Sequence, residues 1–335
     1  TGYGNTFANT LLGNNADNTL DGGAGADSLV GGIGNDYYIV DSSSDVVTEG
    51  SGAEVDSVLA NVSGLTLAAN AEWLVFGTAT SVVTGYGNTL ANTLVGNASN
   101  NTLDGGVGAD SLAGGAGNDY YMVDSSSDVV SEAASAGTDS VYASVNNVTL
   151  GSNLEWLIFD TATSVASGTG NSISNTLVGN GANNTLDGGA GNDSMIGGAG
   201  NDYYIVDSLT DSIAESTGNG TDSVFANISG YTLTSGAEVE WLVLNSSSVT
   251  SGYGNSIANT LVGNAAGNTL DGGSGNDSLI GSSGNDYYLI DTTSDSVYEI
   301  SGEGTDSVYA NVTGYTLVNN TECLILGSSS SVATG

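Results

Sequence analysis

Residues 22–39 read Gly-Gly-Ala-Gly-Ala-Asp-Ser-Leu-Val followed by Gly-Gly-Ile-Gly-Asn-Asp-Tyr-Tyr-Ile, two nine-residue units of the same design. Each unit opens with a glycine-rich run, has Asp as its sixth residue and has a large apolar residue two positions later. Glycine is typical of tight turns because it adopts positive φ without steric cost. The apolar spacing lacks the 3.6-residue period of a helix. The pattern therefore predicts short strands that alternate with turns every nine residues.

The same nine-residue period continues on both sides of this stretch. Large apolar residues recur nine apart, each two positions after an Asn or Asp: Leu11, Leu20, Leu29, Tyr38 and Val47. After a two-residue shift the nine-residue step resumes with Val58, which follows Asp56, and continues with Leu67 and Phe76. Strands of three or four residues at this spacing predict an all-β fold, a right-handed parallel β-solenoid with two strands in each turn of about 18 residues. In this fold Leu11 and Leu29 stack in one sheet, and Leu20 and Tyr38 stack in the other.

A longer unit of 83 or 84 residues contains the nine-residue period and is read four times. Its opening Thr-Gly-Tyr-Gly-Asn, or a close variant, marks copies over residues 1–83, 84–166, 167–250 and 251–333. No Pro-rich or Ser-rich linker separates the copies. We therefore expect one continuous solenoid over residues 1–335 instead of four domains.

The charge composition excludes several classes of function. The chain has no Lys, Arg or His and 37 Asp plus Glu, a formal charge of −37. Without cations it cannot clamp nucleic-acid phosphates or acidic lipids, and catalysis through His, Lys or Arg is excluded. No apolar run is long enough for membrane insertion. We expect a non-catalytic protein, not an enzyme, whose carboxylates are neutralised by external cations.

The nonapeptide Gly-Gly-x-Gly-x-Asp-x-U-x, where U is large and apolar, recurs over residues 105–119, 188–202 and 272–286, with Ser282-Ser283 replacing Gly-Gly in the last copy. In these motifs the chain resembles the RTX (repeats-in-toxin) calcium-binding family. The resemblance implies a β-roll in which Ca²⁺ is held between stacked turns by Asp carboxylates and Gly carbonyls. The carboxylates that it implies are those of Asp27, Asp36, Asp110, Asp119, Asp193, Asp202, Asp277 and Asp286.

Two groups of turns depart from this motif in all four copies. The first two nonads of each copy have Asn where Asp would be, as in Asn9 and Asn18. An amide can close a turn without a metal, so we expect these turns to be poor in calcium. A second group has the right spacing but follows Ser- or Thr-rich turns, and it is open to both calcium ligation and simple turn capping: Asp45, Asp128, Asp211 and Asp295. Nine or ten acidic residues in each copy would be neutralised by about four or five Ca²⁺, so we expect several ions per repeat.

One strand in each copy is apolar on both faces. Residues 72–76 read Glu-Trp-Leu-Val-Phe, and related sequences recur at 155–159, 240–244 and 322–326. Because side chains alternate along a strand, Leu74 and Phe76 are predicted to face inward and Trp73 and Val75 outward. Either the same chain covers the outward face, or the Trp residues form a contact stripe for another copy or a partner. Successive copies could also present opposite faces.

Together these features favour a calcium-stiffened, secreted structural rod on or outside a bacterial cell: the repeat region of a giant surface or adhesin protein, or the subunit of a filament or matrix. Self-association into filaments or bundles would follow from the contact stripe. The resemblance implies type I secretion through a signal outside this chain. The alternative is a calcium-dependent secretion and folding module of a toxin, protease or lipase.

Overall fold

The computed structural model describes residues 1–52, 54–161 and 165–327. All regular secondary structure in these residues is β-strand. The chain divides into two compact units, Thr1–Asp160 and Thr161–Gly335. Each unit is a parallel β-solenoid, which confirms the predicted all-β solenoid class. A single continuous solenoid over residues 1–335 stays a prediction.

Unit 1 contains two walls of parallel strands. The first is an eight-stranded sheet of β1 (Gly2–Tyr3), β3 (Thr19–Asp21), β5 (Tyr37–Val40), β7 (Ser57–Ala60), β9 (Trp73–Phe76), β11 (Thr93–Val95), β13 (Ser111–Ala113) and β15 (Val129–Val130). Strands of the second wall are β2 (Thr10–Leu12), β4 (Ser28–Val30) and β6 (Val46–Thr48), then β8 (Leu65–Thr66), β10 (Thr84–Tyr86), β12 (Thr102–Asp104), β14 (Tyr120–Val123), β16 (Ser140–Ala143) and β18 (Trp156–Phe159). The remaining strand is β17 (Val148–Thr149).

Unit 2 repeats this organisation. Its first wall comprises β19 (Ser167–Thr169), β21 (Thr185–Asp187), β23 (Tyr203–Val206), β25 (Ser223–Ala226), β27 (Trp241–Leu244), β29 (Thr260–Val262), β31 (Ser278–Ile280) and β33 (Ser296–Tyr298). Its second wall comprises β20 (Thr176–Val178), β22 (Ser194–Ile196) and β24 (Ser212–Ala214), then β26 (Tyr231–Thr232), β28 (Ser251–Tyr253), β30 (Thr269–Asp271), β32 (Tyr287–Ile290), β34 (Ser307–Ala310) and β35 (Cys323–Leu326).

The central residue of each three-residue strand points inward and builds the core. Leu20 pairs with Tyr38 in one sheet, and Leu11 pairs with Leu29 in the other, as predicted. Leu29 and Tyr38 are fully buried, whereas the flanking Thr and Ser are exposed or half-buried. This alternation follows from the two-residue period of a strand. Stacked aliphatic and Tyr side chains therefore form a narrow core between the two walls.

The predicted nine-residue step after Val47 is wrong in its register. Val58 pairs with Leu74, not with Phe76, and Phe76 instead lies beside Ala60. The loops explain the change, because residues 49–56 make a long link before β7 and residues 61–64 make a short link after it. One turn of the solenoid is thus lengthened and the next is shortened. Leu74 and Phe76 are both buried, as predicted, and Leu67 is buried just after β8.

Equivalent strands of successive copies lie in opposite walls of a unit. In unit 1, β5 of the first copy is in the first sheet, whereas its counterpart β14 is in the second. Accordingly Trp73 projects from one wall and Trp156 from the other. Their side chains are 42% and 38% exposed, so the chain does not cover them within the described residues. A stripe of successive Trp residues along one face of unit 1 is therefore not formed.

Candidate metal centre

The glycine turns stack on the asparagine turns that lie 18 residues earlier in the chain. Gly23 has a φ of 70°, a conformation that favours glycine. A Cβ atom on Gly23 would lie 2.8 Å from the carbonyl oxygen of Asn5. Glycine at this position therefore provides both the turn conformation and the close approach of turn 22–27 to turn 4–9.

The asparagine turns are closed by their own side chains. In each one the Asn Oδ1 accepts a hydrogen bond from the backbone N–H four residues earlier, as for Asn9 and Asn5 at 2.6 Å. The same bond closes the turns that end at Asn18, Asn92, Asn101, Asn175, Asn184, Asn259 and Asn268. The Asn Oδ1 atoms of these turns thus have hydrogen-bond partners within the chain, and the expectation that the turns are poor in calcium stays a prediction.

The aspartates of the glycine turns use only one oxygen in hydrogen bonding. Asp27 Oδ1 accepts the backbone N–H of Asn9 at 2.7 Å, and Asp36 Oδ1 accepts that of Asn18 at 2.6 Å. All eight predicted aspartates of this type make the same bond to a residue 18 positions earlier: Asp27, Asp36, Asp110, Asp119, Asp193, Asp202, Asp277 and Asp286. One oxygen thus ties each glycine turn to the preceding coil.

The second oxygen of each of these eight aspartates is buried and has no hydrogen-bond partner. The side chains themselves are at most 2% exposed. A buried carboxylate oxygen without a partner is costly, and this chain has no Lys, Arg or His to supply one. An external cation that prefers oxygen ligands would satisfy all eight. The residues present therefore fit calcium.

Burial makes several of these carboxyls weaker acids. It raises the pKa of Asp36, brings the pKa of Asp110, Asp119, Asp193, Asp277 and Asp286 to about 6, and brings that of Asp202 to about 7. The backbone N–H donors oppose this rise, and neighbouring carboxylates such as Asp128 beside Asp110 add to it. A bound dication would favour the ionised form, because opposite charge nearby lowers a carboxyl pKa.

The four aspartates that follow Ser- or Thr-rich turns, for which the sequence left both calcium ligation and turn capping open, have a different environment. Asp45 Oδ1 accepts the N–H of Asp27 at 3.0 Å, and its Oδ2 accepts the N–H groups of Asp41 and Ser42 at 3.2 and 3.1 Å. Asp128, Asp211 and Asp295 repeat this arrangement. Backbone donors engage both oxygens, so the hydrogen bonding favours turn capping for these four residues.

Carboxylates that the nonapeptide motif does not include lie next to half of the glycine turns. Glu49 and Asp56 come close to Asp36, with one oxygen from each of the three within 4.8 Å of the others. The buried Tyr38 hydroxyl donates to Glu49 Oε1. Equivalent groups are Asp119, Glu132 and Asp139; Asp202, Glu215 and Asp222; and Asp286, Glu299 and Asp306. The recurrence of these Glu and Asp residues at equivalent places in all four copies was the sequence signal that could have identified the groups. The residues lie outside the nonapeptide motif, so the motif alone does not indicate them.

Fold and site together define a parallel β-solenoid whose glycine turns carry buried carboxylates with oxygens available to a cation. A family model described as the RTX calcium-binding nonapeptide repeat matches residues 3–38, 86–121, 169–204 and 253–288. The chain therefore carries RTX calcium-binding repeats in four copies, which confirms the resemblance seen in the motifs. No curated protein is similar enough to the chain to count as a match. Within residues 1–52, 54–161 and 165–327 no helix has the length and apolar character needed to cross a membrane.

Proposed function

We propose that this chain is a non-catalytic structural element that calcium folds and stiffens outside the cell. It would serve as the repeat region of a large surface or adhesin protein, or as a subunit of an extracellular filament or matrix. The observation that carries the proposal is the set of eight buried carboxylate oxygens without a partner in a chain without a cationic side chain. RTX repeats bind calcium and are typically non-catalytic.

The charge of the chain links this proposal to location. With a formal charge of −37, the metal-free chain repels itself, and the compact state is disfavoured. Ions that bind only the folded state stabilise it in proportion to the logarithm of their free concentration. Millimolar calcium outside a cell would therefore favour the solenoid, whereas submicromolar calcium in the cytosol would leave the chain extended. A secreted chain would fold on exit.

Circular dichroism tests the coupling of calcium to folding. In an EGTA buffer we expect the full chain to give a coil spectrum, and after addition of millimolar Ca²⁺ a β spectrum, since bound ions relieve both the self-repulsion and the unpaired buried oxygens. Mg²⁺ at the same concentration is the control and should be less effective, because it demands a smaller octahedral shell. A β spectrum that EGTA leaves unchanged would contradict the proposal. Antibody labelling of intact producing cells tests the location, and a signal that requires permeabilisation would argue against it.

The outward faces of the walls support self-association as part of this role. Trp73, Trp156 and Trp241 are 38–42% exposed. Tyr203 and Phe225 lie side by side with ring centroids 5.8 Å apart, and Tyr120 and Tyr142 form a similar pair at 6.1 Å. Exposed aromatic groups on a sheet face are suited to burial against another surface. We propose that copies of the chain associate laterally through these walls.

Replacement of all three Trp residues by Ser tests this association. We expect the wild type to form lateral or end-to-end assemblies in calcium, and the variant Trp73→Ser, Trp156→Ser, Trp241→Ser to fold in calcium without forming them; electron microscopy of both proteins measures the difference. The control is Ile33→Ser, Val107→Ser, Leu209→Ser, which removes three apolar side chains that are 52–68% exposed but lie outside the strands. Unaltered assembly in the Trp variant, or equal loss in the control, would contradict the role of the walls.

A further inference from the structure

We propose that each three-carboxylate group is a calcium site in which a Glu and an Asp from outside the nonapeptide motif join the last motif aspartate of the copy. The first group consists of Asp36, Glu49 and Asp56. Only Asp36 lies in the segment matched by the RTX repeat, which ends at residue 38 in the first copy. The inference goes beyond the proposed function, because it adds ligands that the motif does not contain.

The first argument is the convergence of oxygen atoms beside a glycine. Asp36 Oδ2, Tyr38 Oη and Glu49 Oε1 all face the Cα of Gly31, where a Cβ atom would collide with them. Asp36 is 1% exposed, and its Oδ2 has no hydrogen-bond partner. Across the four groups, the buried oxygens without a partner belong to Asp36, Asp119, Asp139, Asp202, Glu215, Asp286 and Glu299. Polar oxygens thus converge on one small space beside a glycine.

The second argument is electrostatic. Three carboxylates repel one another strongly when they share a site of low dielectric. In most proteins a Lys or Arg would neutralise such a group, but this chain has neither. The Tyr38 hydroxyl satisfies one Glu49 oxygen by a hydrogen bond and supplies no positive charge. A bound external cation gives the group charge balance and a partner for the buried oxygens that have none, such as Asp36 Oδ2.

The third argument is the chemistry of the ligands. The groups offer carboxylate oxygens and a nearby phenol oxygen, with no nitrogen or sulfur, which suits a hard cation. Ligand oxygens on opposite sides of a Ca²⁺ ion are about 4.6–5.2 Å apart. The three oxygens lie within 4.8 Å of one another, a spacing compatible with a single Ca²⁺ ion among them.

The position of each site gives it a role in the fold. Asp36 and Asp56 are joined by a hydrogen bond from the Asp36 N–H to Asp56 Oδ1 at 2.7 Å, across a separation of 20 residues instead of 18. Asp56 in turn donates its N–H to Glu72 Oε2 at 2.9 Å. An ion at this point would fasten the last glycine turn of each copy to loop 49–56 and the coils beyond it. Calcium would thereby order segments that have no glycine turns of their own.

The number of bound ions tests the inference. The variant Glu49→Gln, Glu132→Gln, Glu215→Gln, Glu299→Gln keeps the size of each side chain and an oxygen that can accept the Tyr hydroxyl. We expect the full chain to bind four fewer Ca²⁺ ions than the wild type, one for each group, by equilibrium dialysis against CaCl₂ with elemental analysis. If this variant fails to fold, Asp56→Asn, Asp139→Asn, Asp222→Asn, Asp306→Asn should show the same loss, because Asn keeps an acceptor for the backbone N–H.

A matched control removes the same number of charges elsewhere. Asp21 lies outside the groups and caps its turn through the Gly23 N–H at 3.0 Å, and its counterparts do the same. The control is Asp21→Asn, Asp104→Asn, Asp187→Asn, Asp271→Asn, which should bind as many ions as the wild type. An unchanged ion count in the glutamine variant, or an equal loss in the control, would overturn these sites alone. A wild-type chain that binds no calcium would overturn the proposed function as well.

Discussion

A chain with Ala at all eight glycine-turn aspartates is expected to remain a coil at every calcium concentration. Each substitution removes the acceptor of a backbone N–H in the preceding coil, such as the buried N–H of Asn92 for Asp110. A lost hydrogen bond of this kind costs about 1 kcal/mol, so eight of them are comparable with the whole stability of many domains. Each substitution also removes the carboxylate that would bind the ion. Circular dichroism across a calcium titration measures the result.

A control for charge removes eight other carboxylates in the same copies. Substitution of Ala at Asp21, Asp41, Asp104, Asp124, Asp187, Asp207, Asp271 and Asp291 changes the net charge equally, and all eight are exposed or half-buried. We expect this chain still to fold in calcium, because no buried unpartnered oxygen belongs to these residues. Calcium-induced folding of the glycine-turn variant would show that its carboxylates are not the ligands that matter.

Low pH is expected to replace part of the stabilisation that calcium gives to the fold. Burial raises the pKa of Glu49, Glu132 and Glu299 to about 7, and that of Asp202 to about 7 as well. A carboxyl whose pKa is higher in the folded state than in the unfolded state stabilises the fold at low pH. That contribution is complete below the unfolded pKa, near 4, and is lost as pH rises through 6 to 7. In EGTA, the coil present at pH 8 should therefore gain β structure as the pH falls toward 5.

Circular dichroism and sedimentation in EGTA over this pH range check the prediction, since sedimentation separates folding from aggregation. The variant with Gln at positions 49, 132, 215 and 299 is neutral there at every pH. It should begin to fold at a higher pH than the wild type, because fewer groups need protons. A metal-free wild-type chain that stays a coil at pH 5 would contradict the electrostatic account.

Several features of the site followed from the sequence because they depend on local periodicity. Leu20 and Tyr38 were expected to stack, and they do. The contrast between the asparagine and aspartate turns was also predicted. The structure added its cause, since Asn9 closes its own turn whereas Asp27 bonds to the preceding coil and leaves one oxygen without a partner. These properties recur every nine or 18 residues, so the sequence carries them directly.

The register beyond Val47 could not be read from the same period. Leu74 and Phe76 are both apolar and two residues apart, so either can face the core beneath Val58. The lengths of loops 49–56 and 61–64 place Leu74 there. The proximity of Glu49 and Asp56 to Asp36 could not be predicted for the same reason. These two residues lie outside the nonapeptide motif, and the altered register brings them close to Asp36.

By itself, the sequence determined the all-β solenoid with two strands per coil, the inward residues of the nonads and the presence of RTX repeats, because each of these is written in the repetition itself. Only the tertiary structure decided which oxygens remain without a partner, which distant carboxylates meet Asp36, and that Trp73 and Trp156 project from opposite walls of unit 1. These outcomes depend on how loops of unequal length shift one coil against the next, and a periodic pattern does not specify that shift.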